Sequence, residues 1–341
     1  MTDRAALIDA FLAAGDWRRA RREKLAGDAS NRRYERLLDG PGGVTTVLMD
    51  AAPERGEDVR PFIAMAEHLV GLGYSAPRIL DRDVEAGLLI LEDLGDDLFA
   101  RVLRREPGRE VELFGPAVDL IGDLMQAPLP GFIEPYGPEL VPLAQLSFDW
   151  YLRGATGDPA PAARAEFGDL FSAALARMAP RSVTVILRDY HAENLIWLPQ
   201  RQGLARVGLL DFQDARSGHP VYDLVSLLED VRRDVSPEVD ARMRQHFIRR
   251  TGLAEDEVGL AAALCATQRN LRILGVFSRL SLHYGKPQYI DLIPRLWRHL
   301  QSDLDHPALA EVAALLRRVL PEPTPEILNR LKAQCGTVPQ P

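Results

Sequence analysis

The segment Val183-Thr184-Val185-Ile186-Leu187-Arg188-Asp189-Tyr190-His191-Ala192-Glu193-Asn194-Leu195-Ile196-Trp197-Leu198, with Val207-Gly208-Leu209-Leu210-Asp211-Phe212 shortly after it, holds three apolar runs of strand length with polar side chains at their ends. Asp189 and Asn194 stand five positions apart on the intervening loop. A carboxylate and an amide so spaced can face one cleft, the first accepting a proton and the second offering a hard oxygen to a cation. A hairpin through Pro199-Gln200-Arg201-Gln202-Gly203 would bring Asp211 beside Asn194. Two oxygen donors completed by substrate phosphates are the usual protein contribution to Mg²⁺, an ion that gives up its waters reluctantly. The implied chemistry is phosphoryl transfer. His191 then reads as an internal hydrogen-bonding residue, since the proton-accepting role is already filled.

Upstream of this segment the pattern divides in two. Leu25-Ala26, Tyr34 to Leu38 and Val44 to Met49 after Pro41-Gly42-Gly43 predict three antiparallel strands. Pro61, tolerated in a first helical turn, opens a helix whose apolar stripe Phe62, Ile63, Ala66, Leu69 and Val70 ends at Gly71 and Gly73. Ala76 to Leu80 and Gly87 to Leu91 predict two more strands. Beyond Asp96 long helical runs take over, among them Val111 to Met125, Leu143 to Leu152 and Ala160 to Met178. The fold class expected is α+β, bilobal: an N-terminal helix over 1–20, a small antiparallel β lobe with one helix over 21–95, a larger mainly α lobe over 96–335, and a tail over 336–341.

At 341 residues with 46% hydrophobic content, the chain has enough apolar material for a sizeable core without metals or disulfides. Cys265 and Cys335, the only cysteines, are too few for a disulfide framework or a thiolate metal site. A net charge of -8 argues against nucleic acid or anionic membrane as the main partner, because both require a dense cationic surface. Asp3 and Asp9 interrupt the first apolar run, which predicts an amphipathic helix with Leu7, Ile8, Phe11 and Leu12 as its stripe instead of a secretory leader. A cytoplasmic location is expected.

The pattern Asp189, His191, Asn194, followed by Asp211 and by Gly218-His219-Pro220-Val221-Tyr222-Asp223-Leu224, resembles the aminoglycoside phosphotransferase family, relatives of the protein kinases. A nearer resemblance is to the anomeric N-acetylmuramate/N-acetylglucosamine kinases of peptidoglycan recycling. It is carried by Gly27 to Tyr34, Val47 to Ala51, Leu91 to Gly95, Asp149-Trp150-Tyr151, Asp211 to Ala215, and Gln268 through Leu280 and Gly285-Lys286-Pro287 to Arg295. The resemblance implies a kinase-like fold with its active site in the cleft, ATP and Mg²⁺ as cofactors and an amino sugar as acceptor. Asp189 would be base or orienter, Asn194 and Asp211 the Mg²⁺ ligands, and Glu92 to Leu94 the hinge meeting adenine.

Two positions depart from the kinase pattern. Leu187 replaces the first histidine of the catalytic loop, and Met49 stands on the third strand where kinases carry a phosphate-binding lysine. Lys24, Lys286 and Lys332 are the only lysines, and none is on that strand. Arg32 or Arg33 would supply the charge from the neighbouring loop. Glu67 borders the helical stripe where kinases place that lysine's partner. Ser30 and Asn31 are candidates for phosphate contact or for closing a turn. Trp150 and Tyr151 suit a sugar face or a helical core equally, and Arg279 suits a lactyl carboxylate or a surface ion pair. Asp223 reads as a helix cap. The alternatives are a kinase for an aminoglycoside or another small molecule, and a nucleotide-binding pseudokinase.

Overall fold

Strand periodicity in the first quarter of the chain builds a five-stranded antiparallel sheet of order β1-β2-β3-β5-β4. In the computed structural model, which describes residues 4–25, 31–178 and 183–339, these strands are β1 (Arg21–Lys24), β2 (Arg33–Leu38), β3 (Thr46–Asp50), β4 (Ile79–Asp83) and β5 (Leu88–Glu92). Four short strands follow: β6 (Thr184–Ile186), β7 (Leu195–Trp197), β8 (Val207–Leu209) and β9 (Arg216–Gly218). The helices begin with α1 (Arg4–Ala14), α2 (Arg60–Gly71), α3 (Phe99–Arg105) and α4 (Glu110–Leu124). Then come α5 (Gly137–Ala144), α6 (Arg153–Thr156), α7 (Pro161–Leu175), α8 (Val221–Leu228) and α9 (Pro237–Thr251). The last are α10 (Glu255–Leu282), α11 (Ile293–Asp303), α12 (Ala310–Val319) and α13 (Pro325–Ala333). Among the described residues no helix is long and apolar enough to cross a membrane.

The central strands β3 and β5 are almost wholly buried. Ile8 and Leu12 of α1 pack on Leu37, Leu48, Leu88 and Ile90, and Arg4 of α1 ties to Asp50 at 2.6 Å. Cross-strand partners share a face of a sheet. The register Arg33↔Asp50 and Tyr34↔Met49 therefore sets Arg33 and Asp50 on the α1 side, with Tyr34 and Met49 on the other. The first strand falls before the expected Leu25-Ala26: Arg21–Lys24 is charged and exposed throughout, as an edge strand tolerates. Ala26 lies outside the described residues. β4 starts three residues later than expected, with a register shift between Ile79 and Asp81.

Compactness divides the chain into one unit of Met1–Leu120, Pro130–Phe132 and Ala192–Ala215, and a second of Ile121–Leu129, Ile133–His191 and Arg216–Pro341. This differs from a boundary after residue 95. Residues 96–120 and the β7–β8 hairpin group with the sheet because backbone hydrogen bonds join them. Ala100 donates to the Ala192 carbonyl, Trp197 to that of Asp97, and Leu209 to that of Ser75. The second unit is mostly helical and is organised around α10, whose 28 residues are buried on nearly every face.

Candidate active site

The β7–β8 pairing, Leu195↔Leu209 through Trp197↔Val207, sets the residue before β7 beside the residues after β8. Leu210 donates its N–H to the Asn194 carbonyl at 3.0 Å, and the Asn194 side-chain amide lies 3.4 Å from the Asp211 carboxylate. The expected hairpin brings these two side chains together. Gln213 donates to the other Asp211 oxygen at 2.7 Å. Asp211 has φ 56°, a left-handed conformation that aspartate accepts more readily than most residues, and the turn sends Phe212 onto Phe62 of α2, ring centroids 5.0 Å apart. Among the described residues no group of three His, Cys, Asp or Glu is placed to hold a metal. An amide beside a carboxylate is instead a sparse hard-oxygen set that fits Mg²⁺, whose remaining positions go to phosphates and water.

Asp189 belongs to the second unit, on the loop after β6. Asp223, in the first turn of α8, does not cap that helix. Its carboxylate accepts the backbone N–H groups of Leu187 at 2.6 Å and Arg188 at 2.8 Å. The loop backbone is thus held by a buried carboxylate, and Leu187 is free to be an apolar core residue, as its burial shows. Burial pushes the Asp223 carboxyl up to about 7 against the lowering effect of those two N–H groups. Arg188, at φ 67°, stacks its guanidinium over the Tyr136 ring at 4.7 Å.

Arg272 of α10 approaches one Asp189 oxygen at 3.2 Å. Burial would raise the Asp189 carboxyl, but Arg272, His191, Arg188 and Arg269 outweigh it and hold the group below its ordinary range. It is ionised at neutral pH. His191 is pushed down to about 4 by burial, so its imidazole is neutral, with one ring nitrogen 3.5 Å from Arg232. Arg272 did not emerge from the sequence. Its signal was present, because Arg269, Arg272 and Arg279 recur at helical spacing along a largely apolar helix.

Of the nucleotide candidates, Ser30 lies outside the described residues. The Asn31 backbone N–H donates to Glu57 at 3.1 Å and its amide to the Arg55 carbonyl at 3.0 Å. Arg33 is exposed on the α1 side of β2. Glu92 has its carboxylate between Arg201 at 2.7 Å and Arg78 at 3.2 Å, while Leu94 packs with Ile196 and Leu198 of the hairpin that carries Asn194. Glu67 is paired with Arg82.

Trp150 and Tyr151 are buried in the helical core. The Tyr151 ring neighbours Trp297, and its hydroxyl donates to the Pro321 carbonyl at 2.7 Å. Their surroundings fit the packing role, and Trp150 also lines a cavity with Asp149, Arg153 and Leu282. Arg279 makes no ion pair among the described residues, and its Nε is buried without a hydrogen-bond partner.

The first unit carries a hairpin with an Asn/Asp pair and the second a loop with an ionised aspartate, and each is a part that a kinase-like phosphotransferase uses. The family model described as the phosphotransferase enzyme family matches residues 21–261, and the chain belongs to that family. Its relatives include the N-acetylmuramate/N-acetylglucosamine kinase of Caulobacter vibrioides, 38% identical, covering 95% of this chain and 98% of that protein. Among solved structures, a choline/ethanolamine kinase family protein from Mesorhizobium loti matches with TM-score 0.60 at 15% identity, covering 93% of this chain and 100% of that one. The aminoglycoside phosphotransferase APH(3'')-Id of Streptomyces rimosus, in complex with ADP and streptomycin, matches with TM-score 0.54 at 18% identity, covering 80% and 99%.

Proposed function

We propose that this phosphotransferase uses ATP and Mg²⁺ to phosphorylate the anomeric hydroxyl of N-acetylmuramate and N-acetylglucosamine. The pairing of the Asn194 amide with the Asp211 carboxylate at 3.4 Å carries the nucleotide half of the proposal, and the 38% identity to a kinase of that name over 95% of the chain supports the sugar half. Asn194 and Asp211 would hold the metal. When bound, Mg²⁺ neutralises charge on the triphosphate and orients its terminal group. Asp189, kept ionised by Arg272, orients the acceptor hydroxyl and receives its proton as the sugar oxygen bonds to phosphorus and the bond to the ADP oxygen breaks. A hemiacetal hydroxyl is more acidic than an ordinary alcohol, which suits a carboxylate of low proton affinity.

The charge around Asp189 favours this acceptor over an aminoglycoside. Arg272, Arg188 and Arg269 all act on it, and a polycation would meet repulsion there where a neutral or anionic sugar does not. Arg279 is proposed as the contact for the lactyl carboxylate, since its guanidinium has no ion-pair partner among the described residues. The test is ATP turnover with N-acetylmuramate, N-acetylglucosamine and an aminoglycoside, with phosphorus NMR of the product. Both sugars should give an anomeric phosphate. Asp189→Ala should lower kcat by about 10²–10⁴-fold, and Arg279→Ala should impair muramate more than glucosamine. Turnover of the aminoglycoside alone, or nucleotide binding without turnover, would replace the proposal.

A further inference from the structure

A triphosphate needs a fixed cation besides Mg²⁺, and the third strand offers only the buried thioether of Met49. Arg32 lies just before β2 and alternates with Arg33, so it falls on the Tyr34 and Met49 side of the sheet. Its Nε donates to Glu57 at 2.8 Å, and both side chains are only 12% exposed. The same Glu57 accepts the Asn31 backbone N–H through its other oxygen, so one carboxylate holds both the arginine side chain and the backbone of the residue before it. Burial opposes the Arg32 cation, yet the group stays above the ordinary arginine range, with the Glu57 and Asp211 carboxylates among the groups that raise it. The guanidinium therefore lies within the field of the proposed metal ligand Asp211. Glu67, meanwhile, is committed to Arg82.

We infer that Arg32, held by Glu57, is the positioning cation for the nucleotide's phosphates and takes the place of the absent strand lysine and its helix partner. This inference rests on the ATP reading and adds to it the residues that grip the phosphates. A guanidinium suits the task, because its planar fork donates to two phosphate oxygens at once and it stays protonated at any working pH. Glu57 takes the Nε edge of that fork and limits its rotation, which reduces the ordering cost of binding.

The experiment compares Mg·ADP with adenosine by calorimetry on wild type, Arg32→Ala, Arg32→Lys, Glu57→Gln and Glu67→Gln, alongside KM for ATP and for the sugar. Arg32→Ala should weaken ADP roughly 10- to 100-fold while leaving adenosine unchanged, and raise the KM for ATP with the sugar KM unaltered. Arg32→Lys should recover part of the loss, Glu57→Gln should show a smaller loss of the same kind, and Glu67→Gln should match wild type. A purely structural ion pair would weaken ADP and adenosine alike, and that result overturns the inference, as does an Arg32→Ala variant with wild-type ADP affinity. Failure of wild type to bind either nucleotide would instead sink the ATP reading itself, and this inference with it.

Discussion

Arg272 sets the proton affinity of Asp189. The aspartate lies in surroundings that by desolvation favour the neutral acid, and it remains ionised because a guanidinium stands 3.2 Å away. Replacing Arg272 by Gln removes the cation and leaves the desolvation, so the carboxyl shifts upward. The acid limb of kcat/KM is then expected to move to higher pH by about one unit or more, equivalent to ~1.4 kcal/mol of lost differential stabilisation per unit. A pH–rate profile of the two proteins decides it: limbs that coincide would mean Arg272 serves packing only. Asp223 shows a different use of a buried carboxylate. The sequence offered it as a cap for the run Leu224 to Val231, but its oxygens reach back to Leu187 and Arg188. Local pattern cannot disclose a partner 35 residues earlier.

At the scale of elements, periodicity served best where an element's own residues define it. The apolar runs around Pro199 to Gly203 announced the β7–β8 hairpin, and Pro61 with Gly71 bracketed α2, which runs Arg60–Gly71. Strand β9 went unseen because Arg216-Ser217-Gly218 contains no apolar side chain; it is a strand only because Thr184–Ile186 pairs with it. Helix α10 owes its position to a glycine. A Cβ at Gly275 would stand 2.4 Å from the carbonyl carbon of Leu146, a backbone atom that cannot swing aside, in the segment leading into the π-helical turn Ser147–Leu152. Gly275→Ala is expected to destabilise the protein by about 1–3 kcal/mol through forced separation of these elements, even though alanine favours helix more than glycine does. Thermal unfolding followed by circular dichroism measures it, and an unchanged or raised Tm would show that the two segments part without cost.

For the molecule as a whole, a net charge of -8 says little about where charge sits, and the structure buries much of it. Asp303, at the end of α11, accepts the Asn270 amide at 2.9 Å. That same amide lies 3.4 Å from Glu229, whose other oxygen meets Arg244 at 3.1 Å, while Arg269 donates to the Glu229 carbonyl at 3.3 Å. Burial, with Glu229 adding to it, pushes Asp303 up to about 9. The unfolded chain releases that proton near pH 4, so between about 4 and 9 the native state holds one proton more, and stability falls by about 1.4 kcal/mol per pH unit as pH rises. His191 and His219, both pushed down to about 4 by burial, act in the opposite sense, but only up to about pH 6.5, where the unfolded imidazoles lose their protons. Above that, nothing from these histidines offsets Asp303. Tm is therefore expected to decline between pH 7 and 9, and Asp303→Asn, which keeps the shape and cannot ionise, is expected to flatten that decline and to exceed wild type in stability at pH 9. Parallel Tm profiles for the two proteins would place the pH dependence elsewhere.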